Sequence, residues 1–228
     1  MINNNRAVQF VNTTATQTIS ASGGTVFFDY FLINKPSGTV QLSSSTPTDA
    51  VINTTAGNIF QLLNAGTLDL NGRSITFNNN GGSIFVNGAS RTVSSSVSGG
   101  KIILNGNKTV ANNAGTGGLV IGANVTVQLN TNGIIDFGNS GGLITTLQGT
   151  LQLNSNNNSF VNNNSPAFSG ASSSLVYNIG ALYVSGLEWP SSNSPVNVTI
   201  QTAGTAVALS GNRTVSGLLT LTDGTINT

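Results

Sequence analysis

Four stretches decide the fold: Thr67-Leu-Asp-Leu-Asn71-Gly72, Lys101-Ile-Ile-Leu-Asn105-Gly106, Thr126-Val-Gln-Leu-Asn130-Thr131 and Thr150-Leu-Gln-Leu-Asn154-Ser155. In each, apolar and polar residues alternate over a short run that ends on Asn, which is strand patterning bounded by a turn residue. A second apolar pair follows, as at Ile75/Phe77, Ile134/Phe137 and Phe160/Val161. Then comes a cluster such as Asn78-Asn79-Asn80, Asn112-Asn113 or Asn162-Asn163-Asn164. Weaker copies begin at Thr39 and Thr205. The starts at 39, 67, 101, 126, 150 and 205 lie 28, 34, 25, 24 and 55 apart, the last interval being about two periods. The mean period of roughly 27 residues marks a solenoid.

Within one period Leu68, Ile75, Ile84 and Val93 fall 7 to 9 residues apart, room for one short strand and a turn each. About three strands per period is what one turn of a parallel β-helix needs. No stretch carries a 3.6-residue period with caps, so crossover helices are not expected. The expected fold is all-β: a right-handed parallel β-helix of a single chain, with seven or eight turns and ~35 Å long at ~4.8 Å per turn. An antiparallel β-sandwich uses similar strand spacing and is the alternative. Stacking of like residues favours the solenoid, with Asn71, Asn105, Asn130 and Asn154 forming one structural column. Asn suits such a place because it tolerates the left-handed backbone region and because stacked amides can bond along the axis. Residues 1–22 read as an N-terminal cap or lead-in strand, with Val8, Phe10 and Val11 to cover the first turn. Residues 23–228 read as the repeats, truncated at the C-terminus, where Thr225-Ile226-Asn227-Thr228 stops in mid-pattern.

Composition narrows the chemistry. Only 6% of the 228 residues are charged, seven basic against six acidic for a net charge of +1; an ordinary domain has roughly 25%. Stacked like charges at ~4.8 Å would repel, whereas Ser, Thr and Asn stack freely. The absence of Cys and His removes disulfides, thiolate or imidazole metal sites and imidazole-based catalysis. With 38% apolar residues and mean hydropathy +0.12, the chain can bury a core and is not a disordered tract. Scattered single basic residues give no footprint for nucleic acid. No apolar run is long enough to insert into a membrane as a helix.

The segment Leu182-Tyr183-Val-Ser-Gly186-Leu-Glu188-Trp189-Pro190, with Pro195-Val-Asn197-Val-Thr-Ile200 and Arg213-Thr-Val-Ser-Gly217-Leu-Leu-Thr-Leu221, resembles repeats of very large secreted and surface-displayed Bacteroidetes proteins. Gly24-Thr-Val-Phe-Phe28 and Gly38-Thr-Val-Gln-Leu42 are similar to the opening strands of the same family. The resemblance implies an adhesin-like role, an extracellular or cell-surface location and export of the parent protein by type IX secretion.

Candidate sites are sparse. Asp29, Asp49, Asp69, Asp136, Glu188 and Asp223 are dispersed, and the positions aligned with Asp69 by the repeat hold Ile103, Gln128 and Gln152. No acidic column is therefore expected, and no catalytic residue, metal site or cofactor. Arg73, Arg91, Lys108 and Arg213 each precede a hydroxyl residue and a β-branched one. They form either an anionic-glycan stripe or, more simply, solvated corners. Tyr177, Tyr183 and Trp189 are weak glycan-contact candidates, set against a plain role for Trp189-Pro190 in anchoring a loop. The expected function is a non-catalytic structural and adhesive module of a large extracellular protein. Its expected partners are surface glycans or further copies stacked end to end, with no nucleic acid and no membrane insertion. A glycan-binding or polysaccharide-degrading β-helix is the alternative.

Overall fold

The computed structural model describes residues 7–11, 15–112, 117–138 and 144–228. Among these residues the regular elements are all strands, two to five residues long, and there is no helix. The chain visits three faces in turn. The first is a seven-stranded sheet running from Ala7–Phe10 to Phe160–Val161, and the second a seven-stranded sheet from Gln17–Ile19 to Ala167–Phe168. The third, from Thr25–Phe28 to Leu219–Leu221, has nine strands. A further three-stranded sheet, Leu182–Val184, Ala206–Ala208 and Thr225–Asn227, alternates along the chain with the last strands of the third face. Each strand pairs in parallel with its counterpart one turn later, as in Val125–Leu129 between Gly100–Leu104 and Thr150–Leu153. This is a right-handed parallel β-helix of about eight turns. The antiparallel sandwich is set aside, since the paired strands are parallel throughout.

Alternation explains why these residues form strands. On the third face Ile75, Ile102, Val127, Leu151, Leu175 and Val198 stack as one inward column, and Phe77, Leu104, Leu129, Leu153, Tyr177 and Ile200 as the next. All are buried. At about 1.5–3 kcal/mol for each fully buried side chain, these columns are the main stabilising term. Phe31 stacks on Phe28 with centroids 4.8 Å apart and leans on Phe60 at 5.4 Å, which adds aromatic contacts near the N-terminal end.

The register corrects the repeat alignment. Successive intervals in the Ile75 column are 27, 25, 24, 24 and 23 residues, and all after the first are shorter than the mean drawn from the sequence. Thr39 and Thr67 belong to the second face, whereas Lys101, Thr126 and Thr150 belong to the third. The 34-residue step from 67 to 101 therefore contains a full turn plus one change of face. Alternating strands look alike on every face, and only pairing tells the faces apart.

The same shift removes Asn71 from the Asn column. The ladder on the third face comprises Asn53, Asn78, Asn105, Asn130, Asn154 and Asn178. Asn78 donates from Nδ2 to Asn53 Oδ1 at 2.9 Å, Asn105 to Asn78 at 2.9 Å and Asn130 to Asn105 at 2.8 Å. Asn154 donates to Asn130 at 3.0 Å and Asn178 to Asn154 at 3.2 Å, and Thr202 Oγ1 closes the series on Asn178. Gln128 and Gln152 donate sideways to Asn130 and Asn154 at 2.9 and 2.7 Å. Asn71 instead turns a corner of the second face at φ 50°, with Nδ2 on Leu42 O at 3.1 Å. None of Asn105, Asn130 or Asn154 has positive φ. The two reasons for Asn thus apply to different residues: left-handed turning at Asn71, axial amide bonding in the ladder.

Of the segment 1–22, Ala7–Phe10 pairs with Tyr30–Ile33 and Gln17–Ile19 with Val40–Leu42, so these strands belong to the first turn. Residues 1–6 and 12–14 of that segment, and Asn113, lie outside the described residues.

Candidate functional site

The second face stops after Ala167–Phe168, and the stretch 185–196 runs without strand where the next one would follow. Gly186, Pro190 and Pro195 account for this, since Pro lacks the N–H that a central strand donates and Gly weakens a strand. The stretch is nevertheless well held. Phe168 N donates to Asn193 O at 3.0 Å, and Trp189 Nε1 to Thr214 O at 3.3 Å, joining the loop to the turns before and after it.

Under the loop lies an aromatic and acidic cluster. Tyr177 is 0% exposed, Glu188 1% and Trp189 2%. The Tyr177 ring lies 5.6 Å from Tyr183 and 6.3 Å from Trp189. Tyr177 OH and Gly186 N both donate to Glu188 Oε1 at 2.8 Å, and Tyr183 OH reaches Ser159 O at 3.4 Å. Burial raises the Glu188 pKa above the usual carboxylate range, although those two donors and the charge of Arg213 offset part of the effect. Burial, reinforced by the Glu188 charge, raises the pKa of both tyrosines. The three aromatic candidates therefore do come together, but neither Tyr177 nor Trp189 turns a ring face to solvent. Tyr177 occupies an inward core slot, paired with Leu153 and Ile200.

Outside this cluster the loop walls a cleft of about 570 Å³. Ser191, Ser192 and Asn193 supply polar groups, Leu187 and Pro190 apolar surface, and Arg213 the charge. The volume lies within the ~300–1,000 Å³ of small-molecule sites.

The four basic positions do not form a stripe. Arg73 stands at a corner of the third face and pairs with Asp49 at 3.3 Å; Arg91 begins a strand of the second; Arg213 lies in the cleft. Lys108 is not a solvated corner at all. Its place on the first face pairs with Ile135, an inward position, and it is 1% exposed. Its Nζ donates to Asn107 O at 3.0 Å and to Asn79 O, and burial lowers its pKa to about 8. Lys35 is also buried, with Nζ on Ala15 O at 2.9 Å and Gln17 Oε1 at 3.0 Å.

The carboxylates serve corners. Asp69 is paired with Gln41 and Ser94, which replace the neighbours inferred from the repeat. It accepts bonds from Gln41 Nε2 at 2.7 Å and from the Asn71 and Ser96 N–H groups at 2.8 Å. Burial pushes its pKa up, and the donors outweigh that and leave it below the ordinary value. Asp136 likewise accepts from Gly138 N, Asn163 and Asn164. Among the described residues no three His, Cys, Asp or Glu side chains gather as a metal site.

Sequence reasoning missed the burial of Glu188 and Lys108 and the place of Arg213. It also missed Asn53, Asn78 and Asn178 as rungs, although the steps of 25, 27 and 24 residues from Asn53 to Asn78, Asn78 to Asn105 and Asn154 to Asn178 carry the signal. No protein-family model, curated protein or solved structure matches this chain.

Proposed function

We propose that this chain is a non-catalytic structural and adhesive repeat module of a large extracellular cell-surface protein, of the kind that the resemblance to Bacteroidetes type IX secretion substrates implies. The observation that carries the reading is the unbroken nine-stranded third face with its ladder from Asn53 to Thr202. Parallel strands and amides bonded along one axis make a stiff spacer with long, nearly uncharged flanks. Surface glycans are the first partner of this reading. Copies stacked end to end are the second: Leu219 and Leu221 continue the columns of Val198 and Ile200 and yet stand exposed, as Val8 does at the opposite end. A glycan-binding reading has one specific observation in its favour, the cleft beside Arg213.

Beads coated with the chain are expected to be retained under flow on polysaccharide-coated surfaces, with no reducing ends released. Released reducing ends would overturn the non-catalytic reading. Retention no greater than that of bare beads would overturn adhesion.

A further inference from the structure

Arg213 is the only charged residue among those lining the cleft. Its guanidinium is held in place by Nη1 on Asn212 O at 3.2 Å and Nη2 on Ser210 Oγ at 2.8 Å. Each Nη carries two protons, so each keeps one N–H beyond these bonds, and a guanidinium with a donor left on both Nη groups suits a carboxylate. Glu188 lies too far for a direct ion pair; among the described residues the pair within 4 Å is Arg73–Asp49. The Glu188 carboxylate is instead committed to Tyr177 and Gly186. The cation in the cleft thus lacks a contacting counter-ion.

The walls indicate what carries the matching anion. Ser191, Ser192 and Asn193 offer hydroxyls and an amide to a polyhydroxylated ligand, and Leu187 and Pro190 offer apolar surface to the C–H face of a ring. A second hollow of about 380 Å³, lined by Leu209, Gly211, Asn212 and Thr228, also borders Arg213. A peptide adding as a strand finds no open edge here. Ala167 N and Phe168 N already donate to Thr145 O and Asn193 O.

We propose that the cleft binds an acidic oligosaccharide, with a uronic-acid carboxylate on the two Nη groups of Arg213 and its sugar ring against Leu187 and Pro190. This rests on the reading of surface glycans as partners and deepens it by naming the class of glycan and the group that recognises it.

Calorimetric titration of the full chain tests it, with tetragalacturonate, its carboxyl-reduced counterpart and tetraglutamate as probes. Tetragalacturonate is expected to bind, with affinity falling as salt rises, and the reduced sugar to bind at least tenfold more weakly. Arg213→Gln is expected to lose tenfold or more, in line with a charge-assisted hydrogen bond. Arg213→Lys should fall in between, since it keeps the charge and loses the fork. Ser192→Trp, at an exposed position, leaves Arg213 intact, fills the cleft and should abolish binding. Thermal unfolding of each variant verifies that the fold survives. The proposal is overturned if tetragalacturonate does not bind, if the reduced sugar or tetraglutamate binds equally well, or if folded Arg213→Gln and Ser192→Trp bind unchanged. Retention of coated beads is a separate readout, so either result can fail while the other stands.

Discussion

Replacing Asn130 by Ala cuts the ladder in its middle. Three side-chain hydrogen bonds disappear: Asn130 to Asn105 at 2.8 Å, Asn154 to Asn130 at 3.0 Å and Gln128 to Asn130 at 2.9 Å. At about 0.5–1.5 kcal/mol net for each, the range is about 1.5–4.5 kcal/mol. Asn130 is half-buried, so water can replace part of what is lost, and about 1.5–3 kcal/mol is expected. Asn53 holds one rung bond, from Asn78, and Asn53→Ala should cost about a third as much. Asn71 provides the contrast. Its φ of 50° makes Asn71→Ala unfavourable by about 1–2 kcal/mol, a cost that glycine avoids. Asn71→Gly should therefore recover the backbone part of the loss, though not the Nδ2 bond to Leu42 O, and Asn130→Gly none of it. Urea unfolding followed by far-UV circular dichroism, with midpoints compared at constant slope, measures all five variants. If Asn130→Ala lies within about 0.5 kcal/mol of the parent, or Asn130→Gly restores stability as Asn71→Gly does, the ladder is decoration and the reasoning fails.

Three further outcomes follow from close contacts and buried charges. A Cβ on Gly118 would lie 1.7 Å from Ile144 O, so Gly118→Ala should lower stability by about 3 kcal/mol, whereas an unchanged melting temperature would show that the turns do not pack as described. The folded Glu188 pKa is raised above its unfolded value of 4.5 by burial, with Tyr177, Tyr183 and Arg213 the titratable groups around it. Stability should therefore fall as pH rises from about 4.5 through the folded value, and Glu188→Gln should flatten that slope; parallel pH profiles of the two proteins would refute this. Burial lowers Lys108 from 10.5 to about 8, so the unfolded chain binds more protons between those values and stability should rise with pH across that window. Lys108→Met should abolish the rise, and a rise that persists in the variant would assign it to another group.

Alternation and period were enough to read the fold. Thr126-Val-Gln-Leu-Asn130 and Thr150-Leu-Gln-Leu-Asn154 sit in register as adjacent strands of one face, as their likeness implied. Face identity was not legible, because Thr67-Leu-Asp-Leu-Asn71 carries the same local pattern on the second face. A strand's pattern reports which side is inward and not which of three sheets it joins. Lys108 misled for a related reason: Lys108-Thr109-Val110 looks like Arg73-Ser74-Ile75, yet the lysine holds an inward slot and bonds backbone carbonyls. Glu188 and Arg213 could not be joined from the sequence, being 25 residues apart in a period that varies by several residues from turn to turn. The loop at 185–196 was foreshadowed by its prolines, but its cleft depends on which strand of the second face comes last.

A stiff spacer whose turns are tied along one axis is tested most directly by pulling the chain from its C-terminus in an optical trap. The turns should peel away in steps of about 24 residues, as between Thr126 and Thr150, or about 80 Å of extended chain per step. Steps that free the Asn130 rung should need less force in Asn130→Ala. A single rupture releasing the whole chain at once, at a force indifferent to Asn130, would contradict a solenoid stiffened turn by turn through its ladder.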